Sequence, residues 1–228
     1  MKNLIIIGLS STARHVFSFV NYHHLYNVVG FAVNEKYRDI DTFNGLPVFE
    51  LETLKQEYNG EYDVFIAMLW NRLNGDRQRL YDYCKAEGFR MANLISPLAV
   101  LRSPIDGDNC WIHDYVVVQN DSIIQSDVAI MSGSLIGANT TIASHCFFGA
   151  QSVLGGGSTV GERSFIGIKA TVFDNTVIGK MCIIGACSAV KRNMPDFSKW
   201  ATASDNIVIK QYEESEIEEK LLFSKNKR

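Results

Sequence analysis

The chain is poor in several features that would assign it to a class at once. Only 4 of its 228 residues are proline, and its five cysteines form neither a C-x-x-C pair nor a zinc-binding spacing. With 21% charged and 46% apolar residues, the composition indicates a folded domain and excludes a disordered chain. An odd number of cysteines in a chain long enough to bury a core indicates reduced, cytosolic thiols. We therefore expect a cytoplasmic protein that needs no disulfide and holds no metal.

An excess of charge and a long apolar run are missing as well. The 22 basic and 25 acidic side chains give a formal net charge of −3, so non-specific nucleic-acid binding is not expected. The apolar run at 4–7 is too short for a membrane span, and no signal-peptide cleavage site follows it. The sequence thus predicts neither a nucleic-acid partner nor a membrane span.

The first half of the chain alternates strand patterns with helix patterns. Buried strands are predicted at 3–8, 28–33, 62–68 and 91–95, a short extended piece at 46–49, and helices at 10–22, 51–58 and 72–87. This alternation predicts a parallel sheet of the doubly wound type. Ligands of such sheets bind beyond the C-terminal ends of the strands, so the turns after the strands are candidate sites.

The turn after the first strand contains small residues that can approach a ligand closely. Gly8 is followed by Ser10 and Ser11 at the start of the predicted helix, where backbone N–H groups and the helix dipole can hold a phosphate. The G-x-G-x-x-G pattern is absent, and a plain turn with a serine cap explains the same residues. We take Gly8, Ser10 and Ser11 as candidate substrate-binding residues, together with Asn34, which follows the second predicted strand.

In the second half, an apolar residue recurs at every sixth position. The fourteen positions are Ile112, Val118, Ile124, Ile130, Ile136, Ile142, Phe148, Leu154, Val160, Ile166, Val172, Ile178, Ile184 and Val190. No helix or flat sheet has this period, whereas a parallel β-helix, with three short strands in each triangular coil, does. An antiparallel β domain would give a period of two and hairpin turns, which the sequence does not sustain.

Two further positions of the six-residue repeat are restricted. The fourth residue after each of the first thirteen apolar positions is Ser, Thr, Val, Ala or Cys, and the residue directly after the apolar one is glycine at 137, 149, 155, 161, 167, 179 and 185. We interpret the small residues as packing beside the apolar residue in the interior. The glycines are interpreted as corner residues, for which a positive φ is often needed.

The order of the two halves resembles one protein family. A short Rossmann-like domain followed by hexapeptide repeats is similar to the nucleotide-sugar acyltransferases of the left-handed β-helix class, which include sialic-acid O-acetyltransferases and UDP- or GDP-amino-sugar N-acetyltransferases. Segments 44–48 and 152–168, the latter with its glycine triplet 155–157, look like the corresponding parts of that family.

The resemblance implies an α/β plus all-β architecture. A Rossmann-like parallel-sheet domain that binds a nucleotide sugar is expected at 1–95, and a left-handed parallel β-helix that carries the acyltransferase site at 96–204. Residues 205–228 remain as a C-terminal extension, for which the apolar spacing predicts an amphipathic helix.

The resemblance also implies an activity and an assembly. Family members form homotrimers, bind acyl-CoA in the groove between subunits and hold the nucleotide of the sugar in the N-terminal domain. An amine or hydroxyl of the sugar then attacks the thioester. For this chain the resemblance implies acetyl-CoA or another acyl-CoA as co-substrate and a nucleotide-linked amino sugar as acceptor, in surface-polysaccharide or glycan synthesis.

Four residues are candidates to bind the coenzyme. Gly149, Gly167 and Gly185 are spaced by one coil of 18 residues, so they are expected to stack into a bare column against which a pantetheine arm can lie. The alternative is that the coil itself needs these corner glycines. Lys191 is the candidate partner of a coenzyme phosphate, unless it is a solvated charge at the end of the β-helix.

At the position of the family's catalytic histidine, this sequence departs from the pattern. The repeats match that position to Ala138 and the following polar position to Asn139, and neither side chain can act as a base. His145, the third residue after Ile142, is predicted to point outward, where it either lines the subunit groove or faces solvent. His113 lies in the first regular coil and is the weaker of the two. We name His145 and Asn139 as the candidate catalytic residues.

Three interpretations of this departure follow. A neutral amine is intrinsically nucleophilic, so an N-acyltransferase can work by positioning without a protein base. Alternatively, His145 or another residue serves as the base of an O-acyltransferase, or the chain is a relative that binds sugar nucleotides or is structural, without catalysis. Because a hydroxyl must lose its proton as it attacks, we favour acyl transfer from acyl-CoA to the amine of a nucleotide-linked amino sugar.

Overall fold

The structure, a computed structural model, describes residues 1–201. The helix predicted within 205–228 lies outside the described residues, as does the last part of the predicted domain 96–204. In the part of the chain that the structure describes, no helix is long and apolar enough to cross a membrane.

An α/β domain comes first. Its elements are β1 (Asn3–Ile7), α1 (Ser11–Tyr22), β2 (Asn27–Val33), a 3-10 helix (Glu35–Tyr37), β3 (Thr42–Phe43), β4 (Leu46–Glu50), α2 (Leu54–Glu57), β5 (Asp63–Ile66) and α3 (Gly75–Ala86). The strand order is β3-β4-β2-β1-β5; β3 pairs antiparallel with β4, and all other pairs are parallel. The predicted parallel sheet is confirmed for β1, β2, β4 and β5, and a short antiparallel strand is added at one edge. The strand predicted at 91–95 is not part of this sheet, because Leu94 and Ile95 pair with a strand of the β-helix instead.

Helix α3 begins at Gly75, three residues later than predicted. Trp70, Arg72, Leu73 and Asn74 all have positive φ, between 41° and 58°, and left-handed residues cannot continue a right-handed helix. Residues 70–74 therefore form a tight loop, which we call the Trp70 loop. Asn74 closes it, because its Oδ1 accepts a hydrogen bond from the backbone N–H of Trp70 at 2.7 Å.

A left-handed parallel β-helix follows, built from two-residue strands. In chain order these are β6 (Leu94–Ile95), β7 (Val100–Leu101), β8 (Trp111–Ile112), β9 (Val117–Val118), β10 (Ile123–Ile124), β11 (Ala129–Ile130), β12 (Leu135–Ile136), β13 (Thr141–Ile142), β14 (Phe147–Phe148), β15 (Val153–Leu154), β16 (Thr159–Val160), β17 (Phe165–Ile166), β18 (Thr171–Val172), β19 (Val177–Ile178), β20 (Ile183–Ile184), β21 (Ala189–Val190) and β22 (Lys199–Trp200). They form three all-parallel sheets, ordered β22-β20-β17-β14-β11-β8-β6, β21-β18-β15-β12-β9-β7 and β10-β13-β16-β19. The predicted fold class is thereby confirmed.

The six-residue repeat fills the interior of the β-helix. All fourteen repeat residues from Ile112 to Val190 are at most 1% exposed. The small residues four positions later are buried beside them, and several of their hydroxyls donate hydrogen bonds to a backbone carbonyl one coil ahead. Ser134, Ser158 and Ser164 do so at 3.1, 2.9 and 2.9 Å. Small polar residues fit these positions because their buried hydroxyls are hydrogen-bonded.

The glycines that directly follow a repeat residue are required for a different reason from the predicted one. The residue with positive φ is the third after each repeat residue from Ile112 to Ile184, and it is glycine only at 133 and 157. Gly149 and Gly167, which directly follow a repeat residue, do not have positive φ, so the explanation predicted for them is wrong. A Cβ on Gly149 would lie 2.6 Å from the backbone nitrogen of Ile168 in the next coil, and one on Gly167 would lie 2.5 Å from that of Ala186. Glycine is required at these positions because successive coils stack closely and leave no room for a Cβ.

The outer face of the β-helix completes the core of the α/β domain. Trp111, Ala129 and Phe147 precede the repeat residues of β8, β11 and β14, and they are buried in one cluster with Phe19 of α1 and Phe65 of β5. The two domains therefore share an apolar interface, and this interface places the loops of the sheet beside the corners of the coil.

Candidate active site

A cavity of about 800 Å³ opens where β1 and β5 end, and we call it the strand-end cavity. Gly8, Ser10 and Ser11 line it, as predicted for the turn after β1, and Arg14 of α1 adds a positive charge. Gly8 has φ of 128°, and a Cβ there would lie 3.2 Å from the carbonyl oxygen of Ala67, so glycine is required by the turn.

The start of α1 leaves donors free at this cavity. Ser10 occupies the N-cap position, but its side chain makes no capping hydrogen bond. The first N–H groups of a helix have no partner inside the helix, and they carry the positive end of its dipole. The turn therefore offers backbone N–H groups, a serine hydroxyl and the Arg14 guanidinium to an anionic ligand.

Asn34 lies beside the strand-end cavity rather than in it. It lines a neighbouring cavity of about 580 Å³ with Lys36 and Arg72. The Asn34 amide donates a hydrogen bond to Glu52 at 2.9 Å, and the other carboxylate oxygen of Glu52 accepts one from the N–H of Glu35 at 3.0 Å. Because its side chain is engaged in this way, Asn34 holds the segment after β2 in place.

A second, apolar cavity of about 480 Å³ lies between the α/β domain and the β-helix. Its wall is aromatic: the rings of Phe147 and Phe165 stack with their centres 5.1 Å apart, and the indole of Trp70 meets Phe147 edge-on at 4.9 Å. Gly149 lines this cavity together with Met131 and Ile168 on the same side. We call it the aromatic cavity.

The Trp70 loop connects the two cavities. Leu69 and Trp70 line both of them, and Trp70 is 51% exposed. The loop is fixed to the β-helix, because Asn74 donates a hydrogen bond to the carbonyl of His145 at 2.7 Å and Arg163 donates one to the carbonyl of Leu73 at 3.1 Å. A ligand that extends from the strand-end cavity past Trp70 reaches the aromatic cavity.

Two histidines meet at the aromatic cavity. His15 of α1 and His113, directly after β8, both line it, and their ring centres are 5.2 Å apart. His113 is only 5% exposed and packs against Trp111, whereas His15 is exposed. Burial lowers the pKa of His113 to about 4 and also lowers the pKa of His15. Both imidazoles are therefore neutral at neutral pH.

The six-residue repeat contains a signal for His113. His113 directly follows a repeat residue, and it lies two coils of 18 residues before Gly149 in the same column. The column that was predicted for the coenzyme thus begins with a histidine. The contribution of His15 depends on how α1 packs against the β-helix, which no local pattern reports.

His145 points out of the coil, as predicted, but α3 covers it at the domain interface, so it is buried and faces neither solvent nor an open groove. It is 5% exposed, its Nδ1 lies 2.8 Å from Oδ2 of Asp127, and its ring packs edge-on against Tyr81 of α3. The other oxygen of Asp127 accepts hydrogen bonds from Arg77 and Asn109. Helix α3 covers this corner of the coil, which the six-residue repeat alone cannot reveal.

The remaining candidates lie on the surface of the β-helix. Asn139 is exposed and has φ of 56° at a corner of the coil, where it shares a shallow cavity with Ala138 and Asp174. Lys191 is exposed, and its ammonium lies 5.4 Å from the centre of the Phe173 ring. The structure places neither of them at the aromatic cavity.

Comparison with known proteins identifies solved structures only. No protein-family model and no curated protein matches the sequence. The structure is similar to a histidine-to-asparagine variant of perosamine N-acetyltransferase from Caulobacter crescentus in complex with CoA and GDP-perosamine, with a TM-score of 0.76 and 27% identity over 87% of this chain and 93% of that chain. It is also similar to the acetyltransferase domain of PglB from Neisseria gonorrhoeae, with a TM-score of 0.75 and 22% identity over 87% and 96% of the two chains.

A third similar structure supports the fold. WeeI from Acinetobacter baumannii matches with a TM-score of 0.75 and 17% identity over 87% of this chain and 96% of that chain. Each likeness covers 87% of this chain and therefore includes parts of both domains. The fold of this chain is therefore that of the left-handed β-helix, hexapeptide-repeat acyltransferases with an N-terminal Rossmann-like domain, which it resembles.

Proposed function

We propose that the protein transfers an acyl group from acyl-CoA to the amine of a nucleotide-linked amino sugar. The observation that carries the proposal is the pair of cavities that adjoin at Trp70, one at the strand ends with serine, threonine and arginine side chains in its lining, the other apolar and against the β-helix. The perosamine enzyme, which is similar over nearly its whole length, was solved with CoA and GDP-perosamine. A sugar N-acyltransferase is the class that fits both facts.

In this proposal the sugar nucleotide spans the two cavities. Its phosphates lie against Gly8, Ser10 and Ser11, where helix N–H groups favour an anion. The sugar ring passes Trp70, whose exposed indole offers an apolar face for the C–H groups of the ring. The amine then reaches the aromatic cavity, where the acyl group is delivered.

In this proposal the coenzyme lies along the surface of the β-helix. Gly149 and Gly167 lie in one column, each closely stacked on the backbone of the next coil, and Gly185 continues the column one coil further. We infer that a pantetheine arm lies along this column, that Lys191 pairs with a coenzyme phosphate, and that a neighbouring copy in a homotrimer closes the groove. Acetyl-CoA is the simplest donor, and the aromatic cavity has room for larger acyl groups.

The chemistry follows from the acceptor. A neutral amine attacks the thioester carbonyl without prior deprotonation, so positioning contributes much of the rate. Asn139 and His145 receive no step in this mechanism, since Asn139 has no titratable group and His145 is buried beneath α3 on Asp127. A relative that only binds sugar nucleotides is the competing function, because Ala138 replaces the family's base.

The decisive experiment measures release of free CoA thiol from acetyl-CoA with UDP-, dTDP- and GDP-linked amino sugars, including GDP-perosamine. We expect release with at least one amine acceptor and none with the matching hydroxyl sugar. No thiol release with any acceptor, together with no CoA binding by calorimetry, would establish the binding-only function instead.

Two variants on one helix locate the nucleotide. Ser11→Tyr fills the strand-end cavity, whereas Ser18→Tyr places the same side chain at an exposed position of α1 outside the cavities. We expect the first to abolish turnover and the second to leave it unchanged. Equal activities would contradict the placement. The solution mass should be that of a trimer, and a monomer would contradict the groove between subunits.

A further inference from the structure

The aromatic cavity contains no acidic side chain in the part of the chain that the structure describes. Its lining consists of apolar and aromatic residues, Gly149, Ala150, Ser132 and two histidines, His15 and His113. A protonated amine that enters such a cavity loses its hydration and finds no carboxylate to pair with. Burial without a counter-charge favours the neutral form. An amine that binds in this cavity is therefore favoured in its neutral form.

His113 has a nitrogen that nothing in the described residues satisfies. Its Nε2 is buried without a hydrogen-bond partner, and its Nδ1 lies 3.4 Å from Oγ of Ser132, which also lines the cavity. An unsatisfied buried polar group costs about 1–3 kcal/mol, so it is rarely left without a reason. Because His113 lines the aromatic cavity, a ligand amine in that cavity is the candidate for the missing partner.

We propose that the His15–His113 pair binds the acceptor amine and that His15 takes the proton which the amine loses. This inference rests on the proposed function. His113 acts as a neutral hydrogen-bond acceptor that positions the amine, and His15, exposed and 5.2 Å away between ring centres, is the group that can exchange a proton with solvent. The pair supplies the proton acceptor that is missing at Ala138.

The proposed reaction needs no protein group other than these two histidines to accept and return the proton. The amine nitrogen attacks the thioester carbonyl carbon, a C–N bond forms, and the carbonyl π electrons move to oxygen. The nitrogen of this adduct is positively charged, and it gives one proton to the neutral imidazole of His15. The C–S bond then breaks as the carbonyl re-forms, and the departing thiolate takes that proton from the His15 imidazolium. The products are an amide and CoA thiol.

The charged and titratable groups around the pair keep His113 neutral. His15 and His23 face it from α1, and each lowers its pKa; Asp114 raises it, but the side chain of Asp114 is paired with His23 at 2.8 Å. Burial is the largest cause of the lowered pKa of His113 and the cause for His15. As a result, the pair accepts a hydrogen bond from a neutral amine across the neutral pH range.

The test replaces each imidazole by a ring of similar shape. His15→Phe and His113→Phe keep the aromatic packing on Trp111 and remove the nitrogens, and His24→Asn is the control, since His24 is exposed at the end of α1. With acetyl-CoA and the amino sugar that releases thiol fastest, we expect kcat/KM to fall about 100-fold in His15→Phe, the usual effect of losing a general base. In His113→Phe we expect kcat/KM to fall as well, because the amine is no longer positioned. His24→Asn should retain wild-type turnover.

A second readout separates catalysis from packing. When a protonated amine binds in neutral form, it releases a proton to the buffer, so the binding enthalpy at pH 7 should differ between phosphate and Tris. We expect this difference for the wild-type protein with the amino sugar, and none with the matching hydroxyl sugar. Equal enthalpies in the two buffers would overturn the neutral-amine site.

The possible failures are distinguishable. Absence of thiol release with every acceptor would refute the proposed function itself. Wild-type thiol release in His15→Phe and His113→Phe, with an unchanged dependence of kcat on pH, would refute only the histidine pair. If His113→Phe does not fold, His15→Phe still decides, because its side chain is exposed.

Discussion

Asp127 and His145 form a buried pair at the joint between the two domains, with the Oδ2 of the carboxylate 2.8 Å from the Nδ1 of the imidazole. The same carboxylate pairs with Arg77, which is 1% exposed and donates hydrogen bonds to the carbonyls of Ile66 and Met68 at 3.0 and 2.7 Å. One carboxylate from the β-helix thus holds the end of β5, from which the Trp70 loop starts.

Removing this carboxylate should strongly destabilise the protein. Asp127→Ala leaves Arg77 buried without a counter-charge, which typically costs about 3–5 kcal/mol. The measurement is denaturant unfolding at a fixed protein concentration. Asp41→Ala, which removes the 91% exposed partner of Arg38, is the matched control and should have a small effect. Similar losses for the two variants would contradict a dominant buried pair.

The glycine column allows a test of the stacking argument. Gly167→Ala places a Cβ 2.5 Å from the nitrogen of Ala186, whereas a Cβ on Gly185 has its nearest neighbour at 3.4 Å. We expect Gly167→Ala to lower the free energy of unfolding by about 1–3 kcal/mol, as overpacking does, and Gly185→Ala to change it much less. Thermal unfolding compares them, and equal shifts in Tm would show that backbone crowding is not the reason for glycine at 167.

Trp70 should control binding of the sugar nucleotide. Trp70→Ala removes the wall between the cavities, and loss of an aromatic contact of about 0.5–1.5 kcal/mol corresponds to a weakening of Kd by up to about tenfold. Calorimetry with the active amino-sugar nucleotide measures it. Trp70→Phe retains a ring next to Phe147 and should keep most of the affinity. An unchanged Kd in Trp70→Ala would contradict the proposed path of the ligand.

Acid should destabilise the protein through His113. The pKa of its folded form is about 4, below the ordinary value of 6.5, so between these values the unfolded chain binds a proton that the folded chain does not. The contribution of His113 to the free energy of unfolding is therefore fully present above pH 6.5. It falls as the pH decreases, by about 2 kcal/mol between pH 7 and pH 5. His113→Phe should lose less stability over that range, as measured by unfolding at both pH values. An identical pH dependence in both proteins would refute this assignment.

The β-helix could be predicted because the pattern of residues that specifies it is local and is repeated in every coil. Each residue from Ile112 to Val190 in the repeat faces the interior, for the same reason in every coil. The strands of the α/β domain were visible for a similar reason, since runs such as residues 4–7 are buried on both faces.

The site could be predicted only in part. Gly8, Ser10 and Ser11 follow a strand directly, so the general rule for parallel sheets located them. His145 was placed on the surface because the repeat describes one coil and not the helix that packs over it. The Trp70 loop and the contact of His15 with His113 depend on residues far apart in the sequence, and their geometry arises only when the two domains pack.

The shared apolar interface has a consequence for how this chain can be recombined. The sequence looks like two modules joined end to end, yet Trp111, Ala129 and Phe147 belong to the core of the first module and to the strands of the second. If residues 1–93 were exchanged for another sheet domain, these three side chains would be left uncovered on the outer face of the β-helix. New acceptor specificity is therefore easier to obtain by changing the Trp70 loop than by swapping the domain that carries it.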